Sequence, residues 1–158
     1  MTSTTLDLRR PRAWARSAGA LLVIVLLAVA AAGCMPDDAR TFLDRTNGLR
    51  RSVGVAALQE NDVLTRKAED WAQHMAATGT LSHSNLSDGL SGLRWRMLGE
   101  NVGYAPSSGD TLKRIHDMFV NSSAHRANLV NGRFTHMGVG VAKDSRGRIW
   151  VAEVFAQL

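Results

Sequence analysis

A helical period is clearest between residues 62 and 78. Apolar side chains there recur every three or four positions and share one face, namely Leu64, Ala68, Trp71 and Met75. Asn61 or Asp62 can cap the start, because either side chain can accept a hydrogen bond from a free backbone N–H of the first turn. Gly79 can end the helix, since glycine adopts positive φ without strain. The pattern predicts one amphipathic helix over these residues.

Two further segments carry a weaker helical spacing. Residues 39–52 and residues 110–121 both repeat mainly apolar positions every three or four residues. The first segment does so at Phe42, Leu43, Thr46 and Leu49, and the second at Leu112, Ile115 and Phe119. Gly48 and Gly54 weaken the first pattern, because glycine costs a helix conformational entropy. We predict helices over both segments.

The end of the chain changes to a strand pattern. Residues 136–142 alternate, and residues 149–155 are apolar on both faces, which is typical of a buried strand. With a turn at residues 144–147, they predict a C-terminal hairpin. Residues 80–109 are rich in Gly, Ser, Asn and Asp and are interpreted as a long loop, which is usually functional or disordered. Helices followed by strands indicate the α+β class.

An uncharged apolar run at residues 18–32 follows four arginines, Arg9, Arg10, Arg12 and Arg16. A basic segment, a short apolar segment and small residues at its end are typical of a secretory signal. A permanent membrane span needs about 20 apolar residues, so this run is short for one. The alternative to general secretion is twin-arginine export through Arg9-Arg10, although Pro11 and Arg12 do not suit that signal.

The apolar run ends in Ala31-Ala32-Gly33-Cys34, which resembles a bacterial lipobox. In that class the cysteine is diacylated and becomes the mature N-terminus; Ala31 stands where leucine is usual. An ordinary cleaved signal is the alternative. We therefore predict a lipoprotein signal peptide at residues 1–33, a short tether at residues 34–38 after lipidated Cys34, and one domain at residues 39–158. The expected location is the extracytoplasmic face of a bacterial membrane, anchored by that lipid.

Cysteine count and charge narrow the possible partners. Cys34 is the only cysteine, which excludes an internal disulfide and a thiolate zinc site. The chain has 19 Lys+Arg and 14 Asp+Glu, but residues 1–33 hold four of the former and one of the latter, so residues 34–158 carry 15 − 13 = +2. This net charge is close to zero and the segment has no cluster of basic residues, so we expect no nucleic-acid partner.

Three polar residues in or beside the predicted long loop are candidates for chemistry: His83, Glu100 and His125. No metalloprotease or serine-hydrolase motif accompanies them. Each has a purely structural alternative. His83 can be a solvated loop residue, His125 a helix C-terminal cap, and Glu100 the ion-pair partner of Arg126 or Arg94.

The remaining candidates have structural interpretations of their own. Asn101 and Asn128 are expected to bond loop backbone, and Arg126 to stand in a cleft wall or a structural contact. His74 and His116 are expected to be exposed on their helices. The tryptophans Trp71 and Trp150 are expected in the core.

Short segments in a specific order carry the strongest identity signal. They are a helix with Asn47 and Arg50, LTRKAEDWA at residues 64–72, SHS at 82–84, LGENVG at 98–103, NSSAHRANL at 121–129 and GVGV at 138–141. Together they resemble the CAP superfamily (cysteine-rich secretory proteins, antigen 5 and pathogenesis-related proteins), in its bacterial branch. The resemblance covers roughly residues 40–155.

The resemblance implies a three-layer α-β-α sandwich with a central antiparallel sheet and a cleft with two histidines and two acidic residues. By position these are His83, His125 and Glu100, while Ser122 stands at the second acidic position and Phe119 replaces the usual tryptophan before it. It further implies zinc or another divalent cation at His83 and His125. Since a serine hydroxyl is a poor zinc ligand, any such ion is expected to be exchangeable.

Three functions follow as hypotheses. The first is a non-catalytic module that binds a lipid, glycan or peptide of the cell envelope through the cleft, with Ser122, Asn101 and Arg126 among its residues. The second is a metal-assisted hydrolase in which Glu100 accepts a proton from metal-bound water. The third is a structural lipoprotein that organises partners through its helical face. The missing second carboxylate favours binding over catalysis.

Overall fold

A computed structural model describes residues 36–158 of the protein. The predicted signal peptide and Cys34 lie outside the described residues. The elements are α1 (Asp37–Ser52), β1 (Gln59–Glu60), α2 (Asp62–Thr78), β2 (Met97–Pro106), α3 (Thr111–Asn121), α4 (Ser123–Leu129), β3 (His136–Lys143) and β4 (Arg148–Gln157). Across residues 36–158, no helix combines the length and hydrophobicity that crossing a bilayer requires.

All three predicted helices are present. Helix α2 has the predicted bounds, because the Asn61 side chain accepts from the backbone N–H groups of Val63 and Leu64 at 3.0 and 3.2 Å. Gly79, at φ 68°, ends it and donates to Met75 O. Helix α1 begins earlier than predicted, at Asp37 in the segment interpreted as tether. Asp37 and Asp38 lie in its first turn, where negative charge interacts favourably with the helix dipole. The prediction of a tether was therefore wrong at these two residues.

The sheet has the order β1-β3-β4-β2, antiparallel except for the two-residue parallel pair of β1 and β3. The prediction of one loop over residues 80–109 was wrong, since β2 forms its later part. Gly99 and Gly103 interrupt the apolar pattern of β2. A Cβ at either would lie 2.7 Å from an aromatic carbon, of Phe134 or Phe119 respectively. The glycines make room for these rings. Because they replace apolar side chains in the alternating pattern, the strand could not be recognised from periodicity.

Helices cover both faces of the sheet. Odd-numbered residues of β4, such as Val151 and Phe155, join the apolar core shared with α1, α3 and α4. Even-numbered residues, such as Trp150 and Val154, join the core shared with α2. The three-layer α-β-α sandwich is thereby confirmed, as is the buried position of Trp150. Trp71 is only half-buried, at the margin of the second core.

A buried arginine holds the segment after α4 in place. Arg50 is 0% exposed and donates to the backbone carbonyls of Ala56, Leu129, Asn131 and Phe134. Burial lowers the pKa of its guanidinium. Because those carbonyls belong to the loop before β1, to the last residue of α4 and to the loop after it, Arg50 ties α1 to the end of α4 and so positions the helix that carries His125.

Candidate functional site

An open cleft of about 430 Å³ runs beside the edge strand β2. Its lining is Leu81, Val102, Gly103, Tyr104, Met118, Phe119, Ser122 and His125. The lining combines Leu81, which follows the helix on one face of the sheet, with Met118 and Phe119 of α3 on the other face, so the cleft lies against the edge of β2. Leu81, Tyr104 and Met118 are 47%, 36% and 48% exposed, which leaves the cleft with an apolar rim.

His83 and Glu100 form a pair near this cleft. His83 Nδ1 lies 2.7 Å from Glu100 Oε1, and the backbone N–H of Ser84 donates to the same oxygen at 2.9 Å. The Glu100 side chain is 1% exposed and that of His83 is 62% exposed. A carboxylate that accepts from Nδ1 orients the imidazole and leaves Nε2 toward solvent. Among the described residues, Glu100 forms no ion pair with Arg126 or Arg94, so that alternative was wrong.

Lys67 is a buried cation near the pair that the sequence analysis missed. Its Nζ donates to Asn85 O at 2.8 Å, which fastens the loop after α2. Burial lowers the Lys67 pKa, while Glu100 and Asp88 oppose that shift electrostatically. The available signal was its spacing in the helix. Lys67 lies three residues after Leu64 and four before Trp71, so it shares the apolar face of α2.

His125 reaches the cleft from the opposite side of β2. It lies within α4, so its interpretation as a C-terminal cap was wrong. Its ring packs against Phe119 with centroids 4.8 Å apart. Burial, and secondarily the charge of protonated His83, lower its pKa. Buried Nδ1 of His125 and buried Oε2 of Glu100 have no hydrogen-bond partner within residues 36–158.

Two asparagines join the strand to the helix. Asn128 Nδ2 donates to Glu100 O at 3.2 Å and to Asn101 Oδ1 at 3.0 Å. Asn101 Nδ2 donates to His125 O at 3.2 Å and to Glu153 Oε2 at 2.9 Å. Both side chains bond backbone, as predicted, but the backbone belongs to β2 and α4 instead of a loop. They join β2 at Glu100 to α4 at His125.

The sequence analysis also missed Glu153, which lies beneath these asparagines. It is 0% exposed and accepts hydrogen bonds from Thr46 Oγ1 at 3.2 Å and from Asn101. Burial raises its pKa to about 8, although both hydrogen bonds oppose that shift. A single acidic residue inside the otherwise apolar run 149–155 was the available signal.

The other predicted residues have more varied positions. Ser122 lines the cleft, whereas Arg126 is partly buried on α4 outside its lining. His74 is exposed, as predicted, and stacks on Trp71 with centroids 4.7 Å apart. The predicted exposure of His116 was wrong. It is 7% exposed, because its ring packs edge-on against Phe42, and burial lowers its pKa.

Comparison with known families agrees with this arrangement. The family described as the cysteine-rich secretory protein family, CAP, matches residues 43–154. The chain belongs to the CAP family. The matched residues include His83, Glu100, Ser122 and His125.

Relatives of this CAP protein include bacterial ones. YkwD of Bacillus subtilis is 27% identical over 121 residues, which cover 72% of this chain and 45% of YkwD. The chain spans less than half the length of the curated relatives it matches. A solved extracellular protein containing an SCP domain, from Bacillus anthracis, has a TM-score of 0.64 and 23% identity, over 77% of this chain and 40% of that one. This structural likeness shows the shared fold.

The metal implied by the CAP resemblance can be tested against the side chains. NaASP2, a structure solved with Zn²⁺, matches at a TM-score of 0.55 and 18% identity, over 78% of this chain and 83% of that one. Residues 36–158 contain no group of three or more His, Cys, Asp or Glu side chains arranged to hold a metal ion. A catalytic zinc usually has three protein ligands, so this CAP domain does not fit such a site. Glu100 Oε1 already binds His83 and Ser84.

Zinc titrated into the purified protein is expected to bind weakly and to leave on dialysis, with a dissociation constant above about 10 μM, because only the two imidazoles of His83 and His125 are expected to contact it. Isothermal titration calorimetry and metal analysis measure this. His83→Ala should abolish the weak binding, whereas His74→Ala, which removes an exposed histidine outside the cleft, should not. One tightly held zinc per chain would contradict the prediction.

Proposed function

We propose that the protein is a non-catalytic binding module, displayed outside the bacterial membrane, whose cleft beside β2 holds a ligand of the cell envelope. One observation carries this proposal. The apolar rim of Leu81, Tyr104 and Met118 surrounds a cleft that His125 also lines, and buried Nδ1 of His125 has no partner among the described residues. Buried polar atoms in folded proteins normally have partners, so a ligand with an apolar body and a polar group would complete the site.

The display outside the cell rests on the sequence. The apolar run at residues 18–32 and the lipobox-like Ala31-Ala32-Gly33-Cys34 support export and lipidation of Cys34. In the sequence, only Met35 and Pro36 separate Cys34 from the start of α1. A lipid on Cys34 would therefore keep the domain close to the membrane surface, within reach of envelope components.

A metal-assisted hydrolase has less support from the side chains. Glu100 orients His83 through one oxygen, and Ser122 stands where the CAP resemblance implies a second acidic residue. Glu153 is the nearest other carboxyl group along the asparagine network, but it is completely buried. Among the described residues that line the cleft there is thus no carboxyl group, while its apolar rim suits retention of a ligand.

Ligand binding can be followed through Tyr104, since it is the chain's single tyrosine and its ring signals in NMR spectra are unique. Three probes are added to the purified mature protein. They are lysophosphatidylglycerol below its micelle concentration, muramyl dipeptide and a lysine-flanked trivaline peptide. We expect at least one probe to shift the Tyr104 signals. Met118→Glu should weaken that binding by at least about tenfold, because it places a charge in the apolar rim.

Val53→Glu is the matched control, since Val53 is 43% exposed at the end of α1 and does not line the cleft. It should leave the affinity unchanged. The proposal fails when none of the three probes shifts the Tyr104 signals, or when both variants weaken binding equally.

A further inference from the structure

We infer that the ligand of this cleft is an extended polypeptide segment that pairs with β2 as an additional strand. The inference rests on the proposed function, because it names the ligand class of the same cleft. Strand β2 pairs with β4 on one side only, and it is the outermost strand of the sheet. An edge strand has a row of backbone N–H and C=O groups that a further strand can pair with.

The register shows which backbone groups of β2 point outward. Ser107 N–H donates to Gly147 O at 2.9 Å, which continues the β2–β4 ladder and makes the odd-numbered residues of β2 the ones that bond β4. Since bonding alternates along an antiparallel strand, the even-numbered residues direct their N–H and C=O groups away from β4. Two contacts agree with this: Asn128 donates to Glu100 O, and Arg114 donates to Pro106 O.

Side chains cover the edge at both ends, and its backbone groups between them form an unpaired window. Asn128 of α4 covers it at Glu100, and Arg114 of α3 covers it at Pro106. Between these points, the outward N–H and C=O groups of Val102 and Tyr104 have no protein partner in residues 36–158. The unpaired window thus offers two donors and two acceptors in the alternating arrangement that only another polypeptide backbone matches along its whole length.

The three residues of the window lack the usual protections of a free edge. Proteins usually protect a free edge with charged side chains, proline or a bulge. Val102, Gly103 and Tyr104 provide none of these, and the register from Met97 to Pro106 is continuous. The window coincides with the cleft, whose lining includes these same three residues. The strand edge and the apolar cleft are therefore one surface.

The cleft walls predict the side chains of the ligand. An added strand would direct alternate side chains toward Leu81 and Tyr104 on one side and toward Met118 and Phe119 on the other. Both walls are apolar, so successive ligand residues should be apolar. At about 3.3 Å per residue, the unpaired window has the length of a segment of about three to five residues.

The lysine-flanked trivaline peptide tests this against the same peptide N-methylated at its central valine. Both have the same side chains, but the methylated one lacks a main-chain donor. Fluorescence anisotropy of labelled peptides, with the chain as the cell exports it, should show the methylated peptide binding at least about tenfold more weakly. The amide protons of Val102 and Tyr104 should become protected from exchange only with the unmodified peptide.

A pair of protein variants tests the strand edge itself. Tyr104→Pro removes one outward N–H without removing a bond to β4, because residue 104 is even-numbered, and an edge strand tolerates proline there. Tyr104→Val changes the same side chain but keeps the N–H. Peptide affinity should fall at least about tenfold further for Tyr104→Pro than for Tyr104→Val, because Tyr104→Val measures the loss of the rim side chain alone. Should Tyr104→Pro not fold, comparison of the two peptides on the natural chain decides the matter.

The possible failures can be told apart. Equal binding of both peptides, or self-association of the chain through β2 in sedimentation experiments, overturns the added-strand inference. Binding of lysophosphatidylglycerol or muramyl dipeptide without peptide binding also overturns it, while leaving the proposed function intact. When no probe binds, both proposals are overturned.

Discussion

Replacing Gly140 by alanine is expected to lower the free energy of unfolding by about 3 kcal/mol or more. An added Cβ would lie 2.1 Å from Ala68 O and 2.3 Å from Glu69 N, both backbone atoms of α2. Gly138 meets the backbone of Leu64 and Thr65 equally closely. The helix backbone cannot move aside as a side chain can, so α2 would have to shift off the sheet. Urea unfolding followed by circular dichroism measures the loss.

Gly132→Ala is the matched control for this prediction. Neither Gly140 nor Gly132 has a positive φ, and the nearest atom to a Cβ at Gly132 is Val55 Cγ1 at 4.0 Å. Alanine there should change the unfolding free energy by less than about 1 kcal/mol. Equal effects of the two substitutions would show that α2 does not lie directly on β3.

Stability is expected to carry a contribution from Glu153 that falls as pH rises from about 5 to 8. Burial raises the pKa of this group to about 8, so the folded protein holds a proton there that the unfolded chain releases. The contribution is complete below the unfolded pKa and is lost as pH rises through the folded one. Between the two, one proton of difference changes the unfolding free energy by about 1.4 kcal/mol per pH unit.

Glu153→Gln isolates this contribution. Glutamine preserves the shape and can bond both Asn101 and Thr46, but it does not titrate. Urea unfolding of the two proteins across the pH range should show the natural chain losing stability relative to Glu153→Gln as pH rises. His116 and His125, whose pKa values burial lowers, are present in both proteins, so their effects cancel in the difference. A difference that does not depend on pH would contradict the prediction.

Glu153 also connects the core to the candidate site. Its partner Asn101 donates to His125 O, and Asn101 in turn accepts from Asn128. Ionisation of Glu153 would place a buried charge directly beneath the residues that join β2 to α4. Weaker ligand binding at alkaline pH is therefore expected for the natural chain but not for Glu153→Gln.

Local sequence signals predicted the elements whose stabilising contacts lie close along the chain. Helix α2 has the predicted bounds because Asn61 and Gly79 satisfy its own terminal groups. The hairpin turn formed as predicted because Asp144 accepts from the backbone of Arg146 and Arg148, only two and four residues away. The CAP resemblance, carried by segments in order, predicted the sandwich and the cleft candidates.

Contacts between distant parts of the chain decided the rest. Strand β2 was missed because Gly99 and Gly103 interrupt its apolar pattern. Glycine is required there by the close approach of the Phe134 and Phe119 rings, which lie far away in the sequence. His116 is buried because Phe42 of another helix covers it, and Glu153 meets Thr46, which lies 107 positions earlier. Periodicity and capping depend on interactions among a few consecutive residues, so they can be read from the sequence. Burial and the partner of a polar side chain depend on surfaces that meet only when the helices pack on the sheet, and those surfaces are set by the tertiary structure alone.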